Sequence, residues 1–61
     1  MDRTTQFLAV YAGLPAASRD EIVAVIDGEA YNWKSARIEV EQGTALGARI
    51  LETLVQLGIL T

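Results

Sequence analysis

Ser18-Arg19-Asp20-Glu21-Ile22-Val23-Ala24-Val25-Ile26-Asp27-Gly28 decides the fold, because it supports two incompatible structures. Read as a helix, it begins with a capping box: the Ser18 hydroxyl can accept the amide three residues on, and Glu21 can reach back to the Ser18 amide. The acids at 20 and 21 suit the positive end of a helix dipole, and Gly28 suits a left-handed helix stop. Read as a strand, Ile22-Val23-Ala24-Val25-Ile26 is dense in the β-branched residues that fit a pleated, buried surface. The capping box tips the reading to helix.

Residues 29–43 carry the same conflict. Asn32 can cap a helix in which Trp33, Ala36 and Val40 share one face at i, i+3 and i+7. Equally, Ala36-Arg37-Ile38-Glu39-Val40-Glu41 alternates apolar and polar with the period of a half-wet strand. Residues 22–26 and 34–41 would then pair, giving an αββα domain with a hairpin at 21–41. Arg37 and Glu41 form an i, i+4 pair in the less favourable order, which decides little.

The flanks are plainer. Phe7, Val10, Tyr11 and Leu14 recur at helical spacing, so residues 3–12 read as a short amphipathic helix with Asp2 near its start. Gly13-Leu14-Pro15 ends it, since proline cannot continue a helix. Gly43 is a stop, Thr44 a cap, and residues 45–57 read as a second clear helix ended by Gly58. Leu46, Ile50, Leu54 and Leu57 form its stripe, widened by Leu51 and Val55, and Ile59 and Leu60 follow. The preferred fold is therefore all-α: one domain over 1–61, a compact bundle of three to four short helices, helix-turn-helix-like in its second half.

Composition bounds the function. The chain has 61 residues, 51% of them hydrophobic, no cysteine, no histidine, and a net charge of -3. A domain of this size buries only about 60% of the surface its unfolded chain exposes. With no Cys or His to supply a disulfide or a zinc site, help from a partner subunit remains. Catalysis would have to rest on carboxylates, hydroxyls or a lone lysine, and the paired acids Asp27/Glu29 and Glu39/Glu41 fall at a turn and on a solvated face. The expectation is no enzyme, no metal and no cofactor. Gly43-Thr44-Ala45-Leu46-Gly47 lacks the lysine of a phosphate loop. The uncharged stretch from Thr4 to Ser18 is short, broken, and preceded by Asp2 and Arg3 without net positive charge, so neither export nor a membrane span is expected. The expected compartment is the cytoplasm.

Thr44 to Leu60, with Arg49-Ile50-Leu51-Glu52-Thr53-Leu54 leading to Leu57-Gly58-Ile59-Leu60, resembles the recognition helix and exit of winged-helix regulators. That resemblance implies a helix-turn-helix scaffold and a DNA-binding role, in which Lys34, Arg37 and Arg49 would contact the duplex. The acidic balance disfavours nucleic acid, because such binding rests on a basic excess.

The leading functional expectation is a non-enzymatic interaction module: a small adaptor, inhibitor or oligomerisation domain. Its apolar surplus would be covered by another protein or by a second copy in a homodimer. The candidate surface is Leu51, Val55, Ile59 and Leu60, with Tyr11 and Tyr31. Trp33 is assigned to the core. A third reading, an acidic mimic of nucleic acid, requires Asp20, Glu21, Asp27, Glu29, Glu39 and Glu41 on one face.

Overall fold

The structure, a computed structural model, describes residues 2–60. Helix α1 (Arg3–Gly13) is capped by Asp2, whose carboxylate accepts the Thr5 amide at 2.7 Å. Leu14 and Pro15 turn the chain into a 3-10 turn, Ala16–Asp20. Strands β1 (Ile22–Ile26) and β2 (Glu29–Asn32) follow as an antiparallel pair, then α2 (Trp33–Gln42) and α3 (Ala45–Gln56).

The fold is α+β, which corrects the all-α expectation. The Ser18 capping box does not form. Residues 16–20 close as a 3-10 turn, and Glu21 is already extended, its amide donating to the Ser18 carbonyl. The β-branched run then follows its own propensity. Asp27 (φ 51°) and Gly28 (φ 83°) both adopt positive φ, the two-residue turn whose twist matches that of paired strands. Gly28 thus serves a hairpin rather than a helix end.

The αββα alternative also needs correction, because it paired the right first strand with the wrong second one. Residues 34–41 are helix. Asn32 accepts the Ser35 amide at 2.8 Å while the Ser35 hydroxyl accepts the Asn32 amide at 3.1 Å. This reciprocal cap starts α2 directly after β2.

Ile22 faces Asn32 while Ala24 faces Tyr31, so Val23 is an extra residue in β1, a bulge. Beyond it the strand alternates: Ala24 and Ile26 are buried and Val25 is exposed. The hairpin's inner face, α1, α2 and α3 enclose one core. Phe7, Ile50 and Leu54 are fully buried at its centre, with Tyr11, Ala24, Ile26, Trp33, Ala36, Val40 and Leu60 around them. Phe7 lies 5.4 Å from the Trp33 ring and 6.3 Å from the Tyr11 ring, centroid to centroid. These separations suit aromatic pairs.

Two glycines set the path of the last third. Gly43 takes the left-handed conformation (φ 67°) that ends α2, and Thr44 then caps α3 by accepting the Gly47 amide at 3.0 Å. Gly58 (φ 80°) reverses the chain, so that the Ile59 and Leu60 amides both donate to the Leu54 carbonyl. The reversal returns Leu60 to the core, leaving it 3% exposed. Among the described residues, no buried side-chain polar atom lacks a partner, and no helix is long and apolar enough to cross a membrane.

Candidate interaction surfaces

Two features stand out on the surface. The first is aliphatic. Ile22, Val25, Ile38, Leu57 and Ile59 are 41% to 61% exposed. The β1 bulge and pleat turn Ile22 and Val25 outward, and the end of α3 presents Leu57 and Ile59. Leu51 and Val55, four residues apart on one flank of α3, are half-buried against the core.

The second is a groove between α1 and α2 floored by Tyr11. Two depressions of about 440 Å³ each meet there and share Tyr11, Arg37 and Glu41. One continues to Lys34, Ile38 and Gln42, the other to Leu8, Ala12 and Arg19. The Arg19 and Arg37 guanidinium carbons lie 4.5 Å and 5.0 Å from the Tyr11 ring centroid. Both separations are within cation-π range. Arg19 also donates to the Tyr11 carbonyl at 3.1 and 3.2 Å, satisfying the C-terminal end of α1. The sequence reading missed Arg19. The 3-10 turn after Pro15 brings it back onto α1, and no short-range periodicity announces that return.

The structure divides the residues expected at a partner surface. Tyr11 and Leu60 belong to the core, Leu51 and Val55 are half-buried, and Ile59 is exposed. Tyr31 is half-buried on β2, where its hydroxyl donates to Glu29 at 2.9 Å. That bond, with burial and the nearby acids, raises the phenol above its ordinary value of 10.0.

The residues expected to contact DNA do not all converge, and each has a carboxylate partner. Lys34 sits 2.8 Å from Asp20, Arg37 pairs with Glu41, and Arg49 grips Asp27 at the hairpin tip through two bonds of 2.6 and 3.1 Å. Lys34 and Arg37 line the groove, whereas Arg49 lies by the hairpin. The acids divide similarly. Asp20 and Glu41 hold the groove cations, while Asp27, Glu29 and Glu39 act together on Tyr31. Glu39 and Glu41, two residues apart on α2, lie roughly 160° apart around the helix axis. No trio of acids among the described residues is placed to hold a metal ion.

The Asp27–Arg49 pair makes a pH prediction. The guanidinium's hydrogen bond and charge hold the Asp27 carboxyl below its ordinary 3.8. A depressed carboxyl contributes stability that is present above the unfolded value and is lost as pH falls through the folded one. Asparagine tolerates the left-handed backbone at this position. Asp27→Asn is therefore expected to lower Tm slightly at neutral pH, with the gap from the parent closing as melts are run below the carboxylate range. A gap that stays constant down to acid pH would show that the pair adds nothing.

No protein-family model, curated protein or solved structure matches the chain.

Proposed function

We propose that this chain is a non-enzymatic protein–protein interaction domain that associates with a second copy of itself through exposed aliphatic side chains at the end of α3. A cytoplasmic setting belongs to the same reading. The observation behind it is the exposure of Leu57 and Ile59 beside a core that already takes in Leu60, Leu54 and Ile50. Further aliphatic surface on the hairpin, Ile22 and Val25, adds to the surplus.

Energetics support the reading. Covering one large aliphatic side chain contributes about 1.5 to 3 kcal/mol. A two-stranded sheet is marginal without further packing, and a small domain gains most from association. A twofold dimer is the commonest arrangement. Duplex DNA would compete for cations that already hold Asp20, Glu41 and Asp27, on a chain of net charge -3.

Sedimentation across rising protein concentration is expected to show a monomer passing to a dimer. Leu57→Glu is expected to hold the chain monomeric, with little loss of thermal stability in dilute solution because this side chain is exposed. Monomer alone at high micromolar concentration, or a dimer indifferent to Leu57→Glu, would overturn the proposal.

A further inference from the structure

We infer that the Tyr11 groove between α1 and α2 docks an acidic segment of a protein partner, whose carboxylate displaces Glu41 from Arg37. The inference begins with the distribution of charge. The chain has five Lys and Arg against eight Asp and Glu, yet Arg19, Lys34 and Arg37, three of those five cations, gather around one tyrosine ring. Asp20 and Glu41 answer two of them. The groove is thus locally cationic on an acidic molecule.

Geometry adds direction. The Arg37–Glu41 bridge stands between the two depressions, since both residues line each of them. Both side chains are about half exposed, and exposed pairs of this kind hold weakly. Arg37 is meanwhile oriented over the Tyr11 ring. A guanidinium fixed in this way presents its planar fork to a carboxylate with little left to order. Ile38, 55% exposed at the rim beside Lys34, offers an aliphatic side chain a contact. No residue of the hairpin or of α3 lines the groove, which is therefore distinct from the self-association surface at the end of α3.

A short acidic segment fits better than a nucleic acid. A long polyanion would run past the groove onto a chain whose net charge is -3 and be repelled. A segment with a few carboxylates and an aliphatic residue needs only the groove.

The test is fluorescence anisotropy of a labelled peptide of glutamate and leucine, titrated with the whole chain. Saturable binding that weakens with added salt is expected. Arg37→Gln should weaken it about fivefold or more, the effect of losing one charge-assisted contact. Lys34→Gln should weaken it too, and Glu41→Gln should tighten it by freeing Arg37. Trp33 emission and circular dichroism check that each variant keeps its core. Opposite effects of Arg37→Gln and Glu41→Gln would not arise from a merely structural role of the bridge. No binding, equal binding by Arg37→Gln and the parent, or weaker binding by Glu41→Gln would overturn the inference. So would preference for duplex DNA through the same residues.

Discussion

Gly47→Ala is expected to destabilise the domain severely, although alanine is the better helix former by about 1 kcal/mol. Gly47 is buried in the first turn of α3, where that helix crosses α2. A Cβ built there lies 2.4 Å from the Glu39 carbonyl oxygen and 2.7 Å from its carbon. Real Cβ atoms do not approach that closely, and the obstacle is backbone rather than a side chain that can swing aside. Relief requires the two helices to separate. Separation would disturb Thr44, which caps α3 and whose hydroxyl also donates to the Glu39 side chain at 2.8 Å, and it would open packing around Val40 and Ile50.

Overpacking by one methyl ordinarily costs about 1 to 3 kcal/mol, and a backbone obstruction belongs at or beyond the top of that range. A chain of this length has roughly 3 to 9 kcal/mol of stability in all. Thermal melts should show a loss of well over 10 °C or no cooperative transition, since each kcal/mol moves Tm by about 4 to 8 °C in small domains. Gly13→Ala is the control. Gly13 closes α1 with nothing within 4 Å of an added Cβ, so this change should be neutral or mildly stabilising. Equal melts for the two variants would mean that α2 and α3 do not meet at Gly47.

The contrast between these glycines shows what was legible in the sequence. At both ends of the chain, local signals agree with one another. Asp2 and Thr44 cap helices whose apolar spacing follows at once, and Gly43 is the stop assigned to it, in a left-handed conformation. In the middle the signals conflict. Ser18 and Glu21 imitate a capping box, but the five residues after them contain four β-branched side chains, and Asp27-Gly28 supplies a hairpin turn. The pairing of β1 with β2, a non-helical interaction, decided the outcome, and a cap motif carries no information about it. Leu60 leaves its expected place on a partner surface for a related reason: it follows the last helix, and only the positive φ of Gly58 turns the chain back into the core.

The candidate surfaces were less legible than the fold. Arg19, Lys34 and Arg37 come from two elements separated by the entire hairpin, and Tyr11 from a third. By sequence Lys34 and Arg37 stand out only as cations, and Tyr11 as an aromatic. Their convergence depends on the 3-10 turn and on α1 packing against α2. Arg49, grouped with them as a DNA contact, is drawn away by Asp27 at the hairpin tip, 22 residues back in sequence.

Leu54→Ala is expected to cost about 2 to 5 kcal/mol, the range for emptying a fully buried aliphatic site. Leu54 is 0% exposed and lies in the same cluster as Phe7, Ile50 and Leu60. Its carbonyl also anchors the returning chain by accepting the Ile59 amide at 2.9 Å and the Leu60 amide at 3.2 Å. Truncation leaves those backbone bonds possible but removes packing around Leu60. The loss should therefore exceed the transfer term alone, and the Tm should fall by roughly 10 °C or more. Leu57→Ala supplies the comparison, because it removes the same atoms from a site 61% exposed, three residues further on. In dilute solution, where association contributes nothing to stability, it should change the melt by no more than about 0.5 kcal/mol. At concentrations that favour the dimer, Leu57→Ala should lower the Tm more, since a ligand that binds only the folded chain adds to its stability by mass action. Two variants of identical composition thus separate the inside of α3 from its outside. If Leu54→Ala melts normally while Leu57→Ala does not, the helix faces are exchanged, and both the core assignment and the self-association surface built upon it fall together.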